Sequence, residues 1–182
     1  MEVSKFETDG PMLLTAVRHH DNRGYFTELF KSSEAIELGL PSFVQENLSR
    51  SGKGVVRGLH WQTEPMSQGK LVSCISGRIV DYFVDIRSNS PTFGKVFSAE
   101  LSSESTQWLW VPSGFAHGFE ALEDNTTVIY KVTNPWSKVH ERSLSPLDTS
   151  LGISFLSRDP LLSEKDASAP LLGDLDAESL FR

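Results

Sequence analysis

One cysteine occurs in 182 residues, Cys74, so no disulfide can form within the chain. A lone thiol inside an apolar run reads as a small buried hydrophobe and fits a reducing compartment. Basic excess is missing as well: 17 Lys and Arg stand against 24 Asp and Glu, for a formal charge of -7. Nonspecific nucleic-acid binding needs a basic face to neutralise phosphates, so that class is excluded. No stretch approaches the roughly 20 consecutive apolar residues of a membrane span. The opening MEVSKFETDG also lacks a cationic segment followed by an apolar one. We therefore expect a cytoplasmic protein with no membrane partner. Internal repeats, low-complexity tracts and long linkers are absent too, and the length suits one domain, residues 1–182, with a substantial core.

What is present is short, β-branched and aromatic runs separated by turn clusters, the pattern of an all-β sandwich or barrel. Strands are expected over Met12–Val17, Phe43–Leu48, Gly54–His60, Leu71–Ile75, Arg78–Ile86, Lys95–Leu101, Gln107–Val111 and Thr126–Thr133. Ser32–Leu38 reads as a short helix capped by its serines, and Asp176–Leu180 as a second. After Ser145 the proline-rich chain should wrap over the barrel as loop and short helix. Within Arg78–Ile86, Ile79, Asp81, Phe83 and Asp85 share one face. Two acids there imply either cationic or imidazole partners in the core, or a solvent face.

From Gly54 to Gly77 the chain reads GVVRGLHWQ, then QGKLV and CISG. This resembles the first histidine motif of a cupin barrel with most of its metal ligands missing. A metal-binding cupin offers His-x-His and a Glu ahead of the closing Gly; here Gln62 replaces the second His and Lys70 stands at the Glu position. The second motif, Pro-x-Gly-x-x-His, is intact as Pro112, Gly114 and His117. One His from each motif plus a Lys is poorly suited to a divalent ion, so no metal or other cofactor is expected. The set suits proton transfer at a developing oxyanion. We expect a cupin-type double-stranded β-helix, or jelly roll, with short peripheral helices.

Eight ordered blocks carry a more specific likeness: DNRGYFTE from Asp21, FVQENLS from Phe43, VRGLHWQ from Val56, QGKLV from Gln68, VDIRSNSPTFGK from Val84, WVPSGFAHGF from Trp110, VIYKVTN from Val128 and LSEKD from Leu162. The chain resembles the dTDP-4-dehydrorhamnose 3,5-epimerases, metal-free cupin enzymes of nucleotide-sugar biosynthesis. The resemblance implies inversion of carbons 3 and 5 of a 4-keto-6-deoxy sugar carried on dTDP. It also implies a homodimer, in which the N-terminal region of one subunit contacts nucleotide bound to the other.

By the same resemblance His60 is the base, in keeping with an imidazole that accepts and returns protons near neutrality. Asp166 orients it, Tyr130 is the acid on the opposite face, and Lys70 stabilises the enolate oxygen. His117 binds the sugar or a buried acid, for which Asp81 is the candidate. Arg23, Phe26, Glu28, Gln45, Glu46, Asn47 and Arg57 fall where the family contacts nucleotide and sugar, with Glu141 and Lys165 at further contact positions. Trp136 stands where members commonly have Tyr, keeping a stacking face and losing a hydroxyl. Two other enzyme readings stay open: inversion at carbon 3 alone, and a metal-dependent oxygenase or isomerase ligated by His60 and His117. A noncatalytic sugar-binding barrel would have no use for Lys70, Tyr130 and Asp166 together.

Overall fold

The computed structural model describes residues 1–182. In chain order the elements are β1 (Glu2–Lys5), β2 (Met12–Thr15), β3 (His19–Asp21), β4 (Gly24–Phe26), α1 (Ser32–Glu37), β5 (Gln45–Ser51), β6 (Val56–Gln62), β7 (Lys70–Ser76), β8 (Arg78–Asp85), β9 (Val96–Ser102), β10 (Gln107–Val111), β11 (Phe115–Ala121), β12 (Thr126–Val132), β13 (Glu141–Ser143) and α2 (Glu164–Ala167). They form a six-stranded sheet, β1-β2-β10-β7-β12-β5, and a five-stranded sheet, β13-β6-β11-β8-β9, while β3 and β4 make a separate hairpin. Antiparallel pairing throughout these sheets gives the expected cupin-type jelly roll.

Alternation along the strands builds the core. Val72, Leu109 and Val128 of the first sheet meet Ile79, Phe83 and Phe115 of the second in one buried cluster. Burying each such side chain stabilises the fold by about 1.5–3 kcal/mol. The opposite faces are covered differently. Leu71, Trp108 and Trp110 lie under α1 and the segment around Phe30 and Phe43, while Leu59, Tyr82 and Val84 lie under the chain after Ser145, through Leu151, Phe155 and Phe181. The C-terminal stretch thus wraps the barrel as expected.

Both acids of β8 turn inward and are fully buried, which removes the solvent-face reading. Asp81 hydrogen-bonds to His117, and Asp85 accepts from Arg87, Ser90 and Thr92. Other expectations need correction. In α1 the serines lie inside the helix, whose N-cap is Lys31 with no side-chain cap. The helix expected at Asp176–Leu180 is a turn, and the C-terminal helix is α2 instead, capped by Ser163. Strand β11, central to its sheet, was not expected at all: its sequence FAHGFEA has few β-branched residues, and burial on both faces substitutes for intrinsic propensity.

Candidate active site

Two glycines set the local geometry from which the site is built. His60 of β6 and His117 of β11 are register partners, after which the pairing shifts to Arg57 with Phe119. Gly58 sits at this irregularity with φ of +119°, and a Cβ there would come within 2.6 Å of the Gly118 Cα. Only glycine allows so close a backbone approach. Both histidines then line a cavity of about 750 Å³ between the sheets, a volume typical of small-molecule sites.

Asp166 reaches this cavity from α2, its Oδ1 lying 2.6 Å from His60 Nε2 and its Oδ2 accepting from the Gly58 N–H at 3.4 Å. Burial pushes the Asp166 carboxyl up, but hydrogen bonds from His60, Ser163 and Gly58 outweigh it and hold the group below its ordinary value. An ionised carboxylate on Nε2 fixes the proton there, so Nδ1 carries the imidazole lone pair. Ser163 was not singled out from sequence, although its side chain accepts from the Asp166 N–H at 3.1 Å and caps the helix. The Ser-x-x-Asp spacing of a helix start was its signal.

From the opposite sheet come Lys70 on β7 and Tyr130 on β12, both lining the cavity. Lys70 Nζ crosses to donate to the His60 carbonyl oxygen at 2.9 Å. Burial lowers its pKa to about 8, against the upward pull of Asp81 and Glu141. Burial raises the Tyr130 phenol, with Arg57 pulling it down and Glu141 adding to the rise. His117 Nε2 lies 2.9 Å from Asp81, the acid anticipated for it. Burial presses this pair toward its uncharged forms, raising Asp81 and lowering His117 against their mutual attraction.

Gln62, at the missing ligand position, donates to the carbonyls of Met66 and Pro135 and accepts from the Ser137 N–H, tying the loop that carries Trp136 to β6. Nowhere do three His, Cys, Asp or Glu side chains group to hold a metal ion. At the mouth, Trp136 is 57% exposed and its backbone N–H donates to Gln45 Oε1 at 3.2 Å, while Glu141 lines the cavity beside it. Glu141 pairs with Lys165 at 2.7 Å. Burial raises Glu141, but Lys165 and Trp136 prevail and lower it.

On β5, Gln45 and Asn47 face the cavity, as does Arg57 of β6. Glu46 points to the other side of its strand and pairs with Lys131. Arg23, Phe26 and Glu28, on and just after the β3–β4 hairpin, are exposed and lie outside the cavity of their own chain. The structure therefore gathers His60, Asp166, Lys70, Tyr130, His117 and the mouth residues around one space, and leaves Glu46 and the hairpin residues apart from it.

The model of the dTDP-4-dehydrorhamnose 3,5-epimerase family matches residues 5–174. An epimerase of that name from Shigella flexneri is 44% identical over 179 residues, covering 97% of this chain and 98% of the relative. Among solved structures, a dTDP-6-deoxy-D-glucose-3,5-epimerase from Legionella pneumophila, in complex with dTDP-4-keto-L-rhamnose, superposes with a TM-score of 0.94 at 41% identity, covering 100% of this chain and 97% of its own. A 3'-monoepimerase from Streptomyces bikiniensis, in complex with dTDP-quinovose, reaches 0.86 at 32% identity over 92% of this chain and 86% of its own. With its length so fully matched, the chain belongs to the dTDP-4-dehydrorhamnose 3,5-epimerase family.

Proposed function

We propose that the chain inverts carbons 3 and 5 of dTDP-4-dehydro-6-deoxy-D-glucose, giving dTDP-4-dehydro-L-rhamnose, and that His60, Asp166, Lys70 and Tyr130 carry the reaction. Both carbons flank the 4-ketone, so loss of either proton sends its electron pair into the same kind of enolate. His60 takes the proton through Nδ1, and Asp166 stabilises the imidazolium. The C4 oxygen gains charge, which the Lys70 ammonium offsets. Tyr130 then gives its phenolic proton to the opposite face of the carbon, and solvent restores both groups. Each step moves only protons.

One observation carries this reading: His60 and Tyr130 line one cavity from opposing sheets, with Lys70 reaching across from the tyrosine's sheet to the histidine's backbone. Inversion demands an acid and a base on the two faces of one plane, and side chains entering one cavity from opposing sheets suit that demand. Gln45, Asn47, Arg57, His117, Trp136, Glu141 and Lys165 bind the nucleotide sugar in this reading. The test is deuterium incorporation from D₂O, resolved by carbon, with the pure protein. Deuterium at carbons 3 and 5 of inverted product is expected. Its absence at both refutes the proposal, and exchange confined to carbon 3 restricts the inversion to that centre.

The exposed Arg23, Phe26 and Glu28 complete the site in a homodimer, each hairpin serving the neighbouring subunit. Their position away from their own cavity supports this, as does Phe26 at 66% exposure in a hairpin that joins neither main sheet. A monomeric, fully active species in solution would refute it. Both sheets and α2 contribute to one cavity, which supports residues 1–182 acting as one catalytic domain. A cytoplasmic location fits a chain whose one thiol is buried and unpaired.

A further inference from the structure

Glu120 is fully buried on the face of β11 turned away from the cavity, and no step above uses it. Its Oε1 accepts from the Ser157 N–H at 2.6 Å and its Oε2 from the Leu156 N–H at 2.9 Å. A carboxylate holding two successive backbone amides fixes both the place and the orientation of the chain bearing them. Beside it, Tyr82 meets the Phe155 ring edge-on at 5.7 Å and donates to the Ser154 carbonyl at 3.4 Å. Nine residues beyond Ser157 lies Asp166. The intervening chain is held again where the Leu161 N–H donates to Gly54 O at 2.8 Å and Leu161 O accepts from Val56 N at 2.9 Å. Those residues lead directly into β6, the strand of His60.

We propose that Glu120 is a positioning residue for the base, anchoring at its entry the strap that delivers Asp166 to His60. The short segment α2, only four residues long, cannot hold its own place; its position comes from the attachments on either side. On the far side Asp148 performs a similar task, accepting the Leu172 N–H at 2.7 Å. Glu120 therefore acts through Asp166 and touches neither substrate nor the reacting atoms. An amide in its place keeps one acceptor oxygen and turns an NH₂ donor toward the other N–H group, so the strap loosens at residues 156–157.

The proposal rests on the reading of His60 and Asp166 as base and orienting carboxylate, and a double-mutant cycle separates the two. Glu120→Gln should lower kcat about ten-fold while KM stays within about two-fold. In an Asp166→Asn background the same change should cost less than about two-fold, because the group it positions is already gone. Equal factors in both backgrounds, or full kcat in the folded single variant, would overturn the role of Glu120. Full turnover in Asp166→Asn alone would instead sink the assignment of the pair. Should Glu120→Gln not accumulate folded, amide exchange on the unaltered protein decides. The Leu156 and Ser157 amides should be protected well above those of Arg158 and Asp159, which have no backbone acceptor. Equal exchange at all four would overturn the proposal.

Discussion

Lys70 loses part of its hydration in the cavity wall, and its ammonium drops to a pKa of about 8. The group is a cation below that value and neutral above it. An enolate oxygen that depends on that charge is therefore stabilised less as pH rises, and kcat/KM should fall above about pH 8. Lys70→Met should reduce kcat by about 10²- to 10³-fold, the usual loss for one preorganised donor, and abolish that alkaline limb. A profile flat to about pH 10 would contradict the assignment. Tyr130 moves the opposite way: burial raises it, so the phenol keeps its proton across the neutral range, as the acid proposed for it must. At this scale the sequence was informative about identity and silent about contact. His60 and Lys70 stand out because Gln62 and a missing Glu spoil a metal site between them. Nothing in the spacing of His60 and Asp166 reveals the 2.6 Å bond they share, since it closes over 106 residues of chain.

Among the elements, the β6–β11 join is the most constrained. Gly58→Ala would drive a Cβ to 2.7 Å from the His117 carbonyl oxygen at a backbone angle that L-residues rarely adopt. We expect a loss of about 1–3 kcal/mol, read as a lower Tm, together with lost activity as the two histidines separate. Unchanged Tm and kcat would show that the approach is not needed. Strands rich in β-branched and aromatic residues, such as β8 and β12, were legible because such runs, bounded by turn residues, read as strands. β11 was not, because GF, AH and GF carry no such pattern and its place depends on two neighbouring strands. α2 was missed as a helix because four residues give no period to read, while Asp176–Leu180, apolar at its end and acidic at its start, forms only a turn.

Over the whole molecule, an ion pair between the buried Asp85 and the partly exposed Arg87 joins both termini to the barrel. Arg87 pairs with Asp85 at 2.6 Å, donates to Thr8 Oγ1 at 3.0 Å and to Asp9 O at 3.1 Å, and bridges to Phe181 through its backbone. Burial pushes the Asp85 carboxyl up, but Arg87, Ser90 and Thr92 prevail and bring it to about 2. With the unfolded value near 3.9, the stability it contributes, about 2 kcal/mol, is complete above about pH 4. It is lost as pH falls toward the folded value of about 2. Asp85→Asn should lower Tm at pH 7 and make little difference at pH 2; an equal loss at both would contradict this linkage. No sequence pattern announces such a clasp, which gathers residues from three distant segments.

Proton removal by His60 and return by Tyr130 across one ketone depend on the whole barrel, because each group comes from a different sheet. Tyr130→Phe in D₂O tests it most directly. Deuterium should enter the carbons beside the ketone with retained configuration, as His60 removes the proton and returns a deuteron to the same face, while His60→Asn should exchange nothing. Inverted product forming at the unaltered rate from Tyr130→Phe, or exchange persisting in His60→Asn, would contradict it.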